Sequence, residues 1–280
     1  MIKYFVPAIL LLMIYSCSGN PTDKVMDKTA DAAKAAEEAA NDIEKGIDDL
    51  KERVSSEVNG IKFYKADVAA TYPGASIKLK TPGPGQGAVG PNHFDFEVSN
   101  YQLAAQTDAA AERNCANSAK GQHIHFILNN QPYKAHYTAH IDEDLGEGEN
   151  ILLAFLSRSY HESIKTESAH TLVNLGKTEF DLTQPMLFYS RPKGTYKTTD
   201  GSRLLVDFYL KNVTLSPNGY QVKITIDGNE FTVSEWAPYF VEGLGVGDHT
   251  FRIQLSDQEG NTVEGTYGDS GNRTVTITQG

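Results

Sequence analysis

The sequence contains few residues of the kinds that stabilise a small fold covalently or attract nucleic acid. Among 280 residues there are two cysteines and one tryptophan, and 25 Lys and Arg residues stand against 36 Asp and Glu residues. The formal net charge of -11, without a cluster of basic residues, argues against binding to a phosphate backbone. The apolar run from Tyr4 to Tyr15 is too short for a permanent membrane-spanning helix. The sequence therefore predicts no nucleic-acid partner.

The first residues have the pattern of a secretion signal. A lysine precedes the apolar run, and Ile14-Tyr15-Ser16-Cys17 resembles the lipobox of bacterial lipoproteins, in which the cysteine is lipidated and becomes the mature N-terminus. The resemblance implies a lipoprotein signal peptide over residues 1–16 and a lipid on Cys17, which would leave Cys115 as the single free thiol. The alternative is an ordinary signal that is cleaved nearby, with Cys17 incidental.

The segment that follows the signal has the composition of a helix. Residues 22–58 read TDKVMDKTADAAKAAEEAANDIEKGIDDLKERVSSEV, with strong helix formers, no proline and one glycine. This predicts one long α-helix, so that residues 17–58 form a lipidated helical spacer. Small and apolar residues from Met26 to Val54 recur at steps of three and four, a heptad pattern typical of a coiled coil. Two interpretations stay open, a coiled-coil stalk that oligomerises the protein and a solvated spacer.

Beyond Gly60 the sequence has the pattern of short strands. Alternating runs such as HFDFEV, HIHFIL and VKITI are divided by Gly, Pro, Asn and Asp. Residues 122–157 align without a gap to residues 221–256, an offset of 99, so this part of the chain is duplicated. About seven short strands in each copy are typical of an immunoglobulin-like sandwich. The prediction is an all-β fold with two tandem immunoglobulin-like β-sandwich domains, over residues 59–183 and 184–280, preceded by the signal peptide and the long α-helix.

Two stretches of the second copy, TIDGNE and GLGVGDHTFRIQLSDQEGNTVEG, resemble bacterial immunoglobulin-like modules. The whole layout resembles surface lipoproteins of the Bacteroidetes type with tandem immunoglobulin-like domains. The resemblance implies a lipid-anchored protein of the bacterial cell envelope, either periplasmic or surface-exposed. Because the matching motifs consist of turn residues, they bear on the fold and say little about function.

The first copy has a histidine-rich strand that the second copy lacks. In GQHIHFILNN, His123 and His125 lie two residues apart, so both rings leave the same side of a strand. At the offset of 99 they fall opposite Val222 and Ile224, which predicts that they face the core of their sandwich. With a shifted register, Phe126 and Leu128 would enter the core instead and the histidines would face solvent.

Further candidate ligands follow the histidine-rich strand. His136 and His140 fall on the next segment, and Cys115 lies in an insertion that only the first copy carries. Imidazole and thiolate groups bind Zn or Cu, so one interpretation is a metal or ligand site built from these residues with His123 and His125. The other is a structural network in which the rings are hydrogen-bonded. The sequence leaves both open.

The sequence has no motif of a catalytic nucleophile, a metalloprotease or a phosphate-binding loop, so the protein is predicted not to be an enzyme. The leading prediction is a membrane-anchored, non-catalytic lipoprotein that acts as a binding or scaffolding module. Its partners would be the membrane, through the lipid, and a protein, peptide or glycan ligand, with oligomerisation through the helix as an option. The alternatives are a Zn- or Cu-binding envelope lipoprotein and a phosphopeptide- or carbohydrate-binding protein.

Overall fold

Strands account for nearly all the regular structure in this computed structural model, which describes residue 34 and residues 54–67 and 71–280. The strands of the first part are β1 (Val54–Val58), β2 (Ile61–Lys65), β3 (Ser76–Thr81), β4 (Gly90–Ser99), β5 (His123–Leu128), β6 (Lys134–His136), β7 (His140–Leu145), β8 (Ile151–Ser157) and β9 (His170–Asn174). Those of the second part are β10 (Met186–Arg191), β11 (Gly194–Lys197), β12 (Leu204–Lys211), β13 (Gln221–Ile226), β14 (Asn229–Val233), β15 (Tyr239–Glu242), β16 (Gly247–Ser256) and β17 (Arg273–Thr278). Short 3₁₀ turns cover Ala110–Arg113, Glu167–Ala169 and Thr198–Asp200. In the described ranges no helix is long and apolar enough to cross a membrane.

Strands β3 to β9 form the first sandwich. A three-stranded sheet, β3-β4-β7, faces a four-stranded sheet, β6-β5-β8-β9, and their pairings are antiparallel. Alternate side chains of each strand enter the core, where Phe94 of β4 packs edge-on against Phe126 of β5 with 5.0 Å between ring centroids. Ile124 lies beside Phe126 in the same core.

Strands β10 to β17 form the second sandwich, which β1 and β2 extend. Its sheets have the orders β1-β2-β15-β12-β10 and β11-β17-β16-β13-β14. The alternation that the sequence predicts is clear in β13, where Val222, Ile224 and Ile226 are 0% exposed and line the core. The predicted all-β fold with β-sandwiches is therefore confirmed.

The two sandwiches repeat one arrangement of strands, with one difference in register. Sheet β3-β4-β7 corresponds to β10-β12-β15, and β6-β5-β8-β9 corresponds to β14-β13-β16-β17. The offset of 99 holds between β8 and β16, since Leu156 and Leu255 both enter a core. In β5, however, His123 pairs with Ser157, and the residue that pairs with the equivalent Ser256 is Gln221. The offset is therefore 98 on this strand, from 123 to 221.

The predicted long α-helix is wrong at its C-terminal end. Residues Val54–Val58 form β1, which pairs antiparallel with β2. Asn59 and Gly60 connect them with φ of 52° and 81°, the two positive values that a type I′ hairpin turn requires. Strand β2 then pairs with β15 of the second sandwich. Apart from residue 34, the rest of the predicted helix lies outside the described residues, as do Cys17 and the signal peptide over residues 1–16.

The sandwiches pack on each other through the outer faces of two sheets. Ile127 and Phe155 of the first sandwich join Phe188 and Tyr209 of the second in one buried cluster. The rings of Phe155 and Tyr209 stack with 4.8 Å between centroids. All described residues from 54 onward consequently belong to a single compact unit. The domain boundaries proposed from the sequence stay a prediction.

Candidate functional site

His123 and His125 lie on the outer face of β5, which the second sandwich covers. Their neighbours Ile124 and Phe126 point the other way, into the core of the first sandwich. Both histidines are nevertheless 0% exposed. The prediction that they face the core of their own sandwich is wrong, because a register difference of one residue moves every side chain of a strand to the opposite face.

The two imidazoles are held by contacts at both ring nitrogens. His123 Nδ1 lies 2.8 Å from the carbonyl oxygen of Gly121, and His125 Nδ1 lies 3.0 Å from Ser190 Oγ. The remaining nitrogens face each other, with His125 Nε2 3.0 Å from His123 Nε2. The His125 ring also stacks on Tyr133 with 3.7 Å between centroids. Each ring is thus fixed in position and aims one nitrogen at the same point.

A third histidine completes the group. His161 Nδ1 lies 3.0 Å from His123 Nε2 and 3.3 Å from the hydroxyl of Tyr133. One ligand nitrogen from each of His123, His125 and His161 lies within 4.8 Å of the other two. We call these three residues the histidine cluster.

Residues of the second sandwich pack around the histidine cluster. Besides Ser190, buried Arg191 donates to the Tyr133 hydroxyl at 2.7 Å, and Lys193 Nζ donates to the Tyr133 carbonyl at 2.6 Å. Lys193 Nζ also lies 4.6 Å from the centroid of the Tyr133 ring. The cluster therefore lies at the contact between the sandwiches, and both of them shape it.

Burial controls the ionisation of the histidine cluster. It lowers the pKa of His123 from 6.5 to about 4, and it lowers the pKa values of His125 and His161 well below the ordinary value. The positive charge of Arg191 adds to the effect at all three rings. The rings are consequently neutral at neutral pH, and neutral imidazole is the form that donates a lone pair to a metal ion.

The other residues predicted from the sequence lie elsewhere. His136 Nε2 is 3.0 Å from Glu143 Oε1, and burial lowers the pKa of His136. His140 is exposed and lies 3.0 Å from Asp95. Cys115 is buried in a separate cluster with Tyr160 and other apolar side chains, where burial raises the pKa of its thiol to about 11. None of the three belongs to the histidine cluster.

His161 is not among the site residues predicted from the sequence, although the duplication contains a signal for it. His161 closes a turn in which its amide donates to the Arg158 carbonyl at 2.9 Å. In the second copy, Gly260 donates to the Asp257 carbonyl at 3.1 Å in the equivalent turn. The φ angles are +72° at His161 and +83° at Gly260. Extending the offset of 99 four residues beyond the aligned block would have placed a histidine opposite a turn glycine.

A cleft of ≈ 400 Å³ also opens between the sandwiches, and we call it the inter-sandwich cleft. Its wall comes from both sandwiches, over residues 65–67, 71–73, 158, 162–166 and 235–238. Two aromatic side chains contribute. Tyr72 packs edge-on against Tyr101, and Trp236 donates to the Phe208 carbonyl at 3.0 Å while its ring meets Tyr209 edge-on. Both rings are therefore anchored by the protein at the edge of the cleft.

The charges around the inter-sandwich cleft balance. Its wall contains three cationic side chains and three anionic ones, namely Lys65, Arg158 and Lys165, and Asp67, Glu162 and Glu235. Arg158 pairs with Glu162 at 3.0 Å and Lys65 pairs with Glu235 at 2.6 Å. The formal charge of the wall is zero, which does not favour a phosphate or another strongly anionic group.

Comparison with known proteins gives no match to a family model and none among curated proteins. Among solved structures, the chain is similar to fibronectin(III)-like modules of CbhA from Clostridium thermocellum, with 13% identity, a TM-score of 0.25, and coverage of 72% of this chain and 94% of that one. The BSP domain of a biofilm-associated protein has 9% identity and a TM-score of 0.24, with coverage of 73% and 29%. SGBP-B of a mixed-linkage glucan utilization locus from Bacteroides ovatus, solved with a mixed-linkage heptasaccharide, has 11% identity and a TM-score of 0.20, with coverage of 73% and 70%. At these scores the similarities do not bear on function, and the strand order above defines the fold.

Proposed function

We propose that this protein is a non-catalytic binding module of the bacterial cell envelope, anchored by a lipid on Cys17, and that its ligand is an uncharged oligosaccharide held in the inter-sandwich cleft. The observation that carries the proposal is the chemistry of the cleft wall. Aromatic rings stand beside hydroxyl and paired charged side chains, and the formal charge is zero.

The cleft wall suits a sugar better than the alternative ligands. Pockets for small ligands combine apolar surface with a few oriented polar groups, and Tyr and Trp provide apolar ring faces together with a polar edge. Glu235 and Lys65 at the rim offer an acceptor and a donor for hydroxyl groups. A phosphopeptide would instead require unpaired arginines, and the one arginine of the wall is paired with Glu162.

The position of the cleft also supports a preformed site. The buried contact between Phe155 and Tyr209 lies between the sandwiches, so the two walls of the cleft are held in one compact unit. A wall that needs no rearrangement avoids part of the entropic cost of binding. This favours a binding role for the pair of sandwiches over a passive one.

The test is a titration of the full-length protein, purified in detergent, with the neutral oligosaccharides selected on a glycan array. Glu235→Ala is expected to weaken binding about tenfold or more, since a hydrogen bond to a charged group contributes roughly 1.5–3 kcal/mol. Glu97→Ala is the matched control, because Glu97 is also exposed and paired with a lysine, but lies outside the cleft. Equal losses in both variants, or no oligosaccharide bound by the wild type, would contradict the assignment. The appearance of cleaved sugar would contradict the non-catalytic part.

The anchor is tested separately. Cells grown with labelled palmitate should yield labelled protein in the membrane fraction, and Cys17→Ala should abolish the label and release the protein. Cys115→Ala is the control, because it removes the other cysteine of the chain. A stable lipid anchor requires more than one acyl chain, so loss of the label should coincide with loss of membrane association.

A further inference from the structure

The contacts of the histidine cluster leave one ring nitrogen with more neighbours than it can satisfy. The Nδ1 atom of His123 faces the Gly121 carbonyl at 2.8 Å, so it carries the hydrogen of the neutral ring and donates it. His123 Nε2 then carries a single lone pair, which accepts one good hydrogen bond. Two ring nitrogens nevertheless lie 3.0 Å from it, one from His125 and one from His161. Hydrogen bonds alone do not account for both contacts.

The Nδ1 atoms of His123 and His125 point away from the centre of the histidine cluster and contact groups of the kind that orient metal-binding histidines. Histidines that bind a metal ion donate their other N–H group to a carbonyl, a carboxylate or water, which fixes the ring and its tautomer. His123 has the Gly121 carbonyl in this role. His125 has Ser190 Oγ, supplied by the second sandwich at 3.0 Å. With both Nδ1 atoms donating outward, both Nε2 lone pairs point to one place.

The backbone of His161 is a second, independent observation. Its φ of +72° is in the left-handed region, which glycine adopts readily and other L-residues adopt at a cost. The equivalent turn of the second copy has Gly260 there. The first copy thus carries a histidine where the turn favours glycine, and this histidine directs Nδ1 at His123 Nε2. Non-glycine residues in this region concentrate at functional sites.

We propose that His123, His125 and His161 form a binding site for a first-row transition-metal cation, Zn²⁺ or Cu²⁺, at the contact between the two sandwiches. Three imidazoles are a ligand set that both ions accept. The second copy has Gln221, Lys223 and Gly260 at the corresponding positions, so the site belongs to the first copy only. The proposal does not depend on the oligosaccharide site.

The residues around the histidine cluster affect both the cost of binding a charged ion and the position of its ligands. Arg191 and Lys193 bring positive charge to the cluster, and this raises the cost of a divalent ion. The Tyr133 hydroxyl lies 3.3 Å from His161 Nδ1 and accepts a hydrogen bond from Arg191. The Tyr133 ring stacks on His125 and its hydroxyl lies beside His161, so this residue holds both ligand rings in position. Tyr133→Phe is therefore expected to weaken binding without abolishing it.

The test uses the full-length chain, purified in detergent without a polyhistidine tag, stripped with a chelator and then loaded with Zn²⁺ or Cu²⁺ near neutral pH. We expect a single metal ion per chain by elemental analysis, and we measure affinity by competition with a chromophoric chelator. His161→Gly restores the residue that the second copy has in this turn, so the variant should fold. Its affinity for the metal should fall more than about 100-fold. Removing a group that only hydrogen-bonds to a metal ligand typically costs roughly 10- to 100-fold, so a larger loss indicates that His161 is itself a ligand. The double variant His123→Ala/His125→Ala should bind no metal.

The matched control is His140→Ala, which removes an exposed histidine that stacks with His93 at 6.2 Å and lies outside the cluster. It should leave the metal content and the affinity unchanged. The proposal would be overturned if the wild type bound neither ion, if His161→Gly bound it as tightly as the wild type, or if His140→Ala alone removed it. In those cases the three rings would be a hydrogen-bonded network that only joins the sandwiches.

Discussion

The carboxylate of Asp207 in the second sandwich is paired with the ammonium group of Lys165 in the first. Asp207 is 0% exposed and the side chain of Lys165 is 16% exposed, so most of this ion pair is removed from water. Asp207 also accepts bonds of 3.1 Å from the amide and the hydroxyl of Ser163. The acid is thus satisfied entirely by groups of the other sandwich, which makes it a polar link between the two.

Asp207→Ala should lower the free energy of unfolding by about 3 kcal/mol, because removing one partner of a buried pair leaves the other charge uncompensated. Chemical denaturation measures the loss. Asp207→Asn keeps an acceptor for Ser163 and should cost less. An exposed ion pair contributes up to about 1 kcal/mol. A loss below this value for Asp207→Ala would mean that water hydrates the Lys165 ammonium group in the variant.

The two sandwiches should unfold in one transition, because Phe155 and Tyr209 pack in a cluster shared by both. Phe155→Ala should cost about 3–5 kcal/mol and shift the whole transition. Fluorescence of the only tryptophan, Trp236, follows the second sandwich, and far-ultraviolet circular dichroism follows the strands of both. Two separate midpoints in the wild type would show that the contact does not couple them.

The free energy of unfolding should fall as the pH drops below the pKa of an ordinary histidine. Burial lowers the pKa of His123 from 6.5 to about 4, so between these values the unfolded chain binds a proton that the folded chain does not. At about 1.36 kcal/mol per pKa unit, His123 contributes a loss on the order of 3 kcal/mol, complete once the pH reaches about 4. The lowered pKa values of His125 and His161 act in the same direction. Chemical denaturation at a series of pH values between 6.5 and about 4 measures this loss. The variant His123→Gln should show a weaker dependence of stability on pH.

Metal should stabilise the wild type but not His161→Gly. A ligand that binds only the folded state adds about 2.7 kcal/mol when its concentration is 100 times its dissociation constant. Adding Zn²⁺ should therefore raise the melting temperature of the chelator-stripped wild type, and chelator should reverse the shift. Equal shifts in both proteins would place the bound metal outside the histidine cluster.

Cys115 should react with a thiol reagent only when its loop leaves the second sandwich. Cys115 is 6% exposed, and burial raises the pKa of its thiol to about 11, so little thiolate is present at neutral pH. A Cβ atom on Gly201 would lie 2.4 Å from the Asn114 carbonyl oxygen and 2.7 Å from Cys115 Cα. Gly201→Ala should therefore speed labelling. In Gly245→Ala, the control, the added carbon meets nothing within 4 Å and the backbone is not in the left-handed region, so the rate should not change.

The strands and the duplication could be predicted from the sequence, because half-buried strands alternate apolar and polar residues. The orientation of β5 could not, because both of its faces are buried. Ile124 and Phe126 face one core while His125 and Ile127 face the other sandwich. A strand covered on both sides loses the alternation that fixes its register. The sequence therefore allowed the histidines to be assigned to the wrong face.

The site and the N-terminal hairpin show two further limits. His161 is separated from His125 in the sequence by β6, β7 and β8, and the turn after β8 brings it to the histidine cluster. The equivalent turn of the second copy contains Gly260. The hairpin of β1 and β2 was hidden by the helix-forming composition that precedes it, although Asn59-Gly60 is a strong hairpin signal. At His161 and at Asn59-Gly60, the turn with positive φ determines the local structure, and residue composition does not reveal it.

The face of β8 that meets the second sandwich has a counterpart of opposite character in the second copy. Leu153 and Phe155 correspond to Arg252 and Gln254 on β16, and Arg252 pairs with Asp269. Contacts that join unlike surfaces can continue from one molecule to the next and produce filaments. Here, repeating the contact head to tail would set the polar face of β16 against the charged outer face of β3 and β4 in the next molecule, where Lys80 and Glu97 are exposed and paired. The polarity of β16 therefore protects the protein from open-ended polymerisation through this surface.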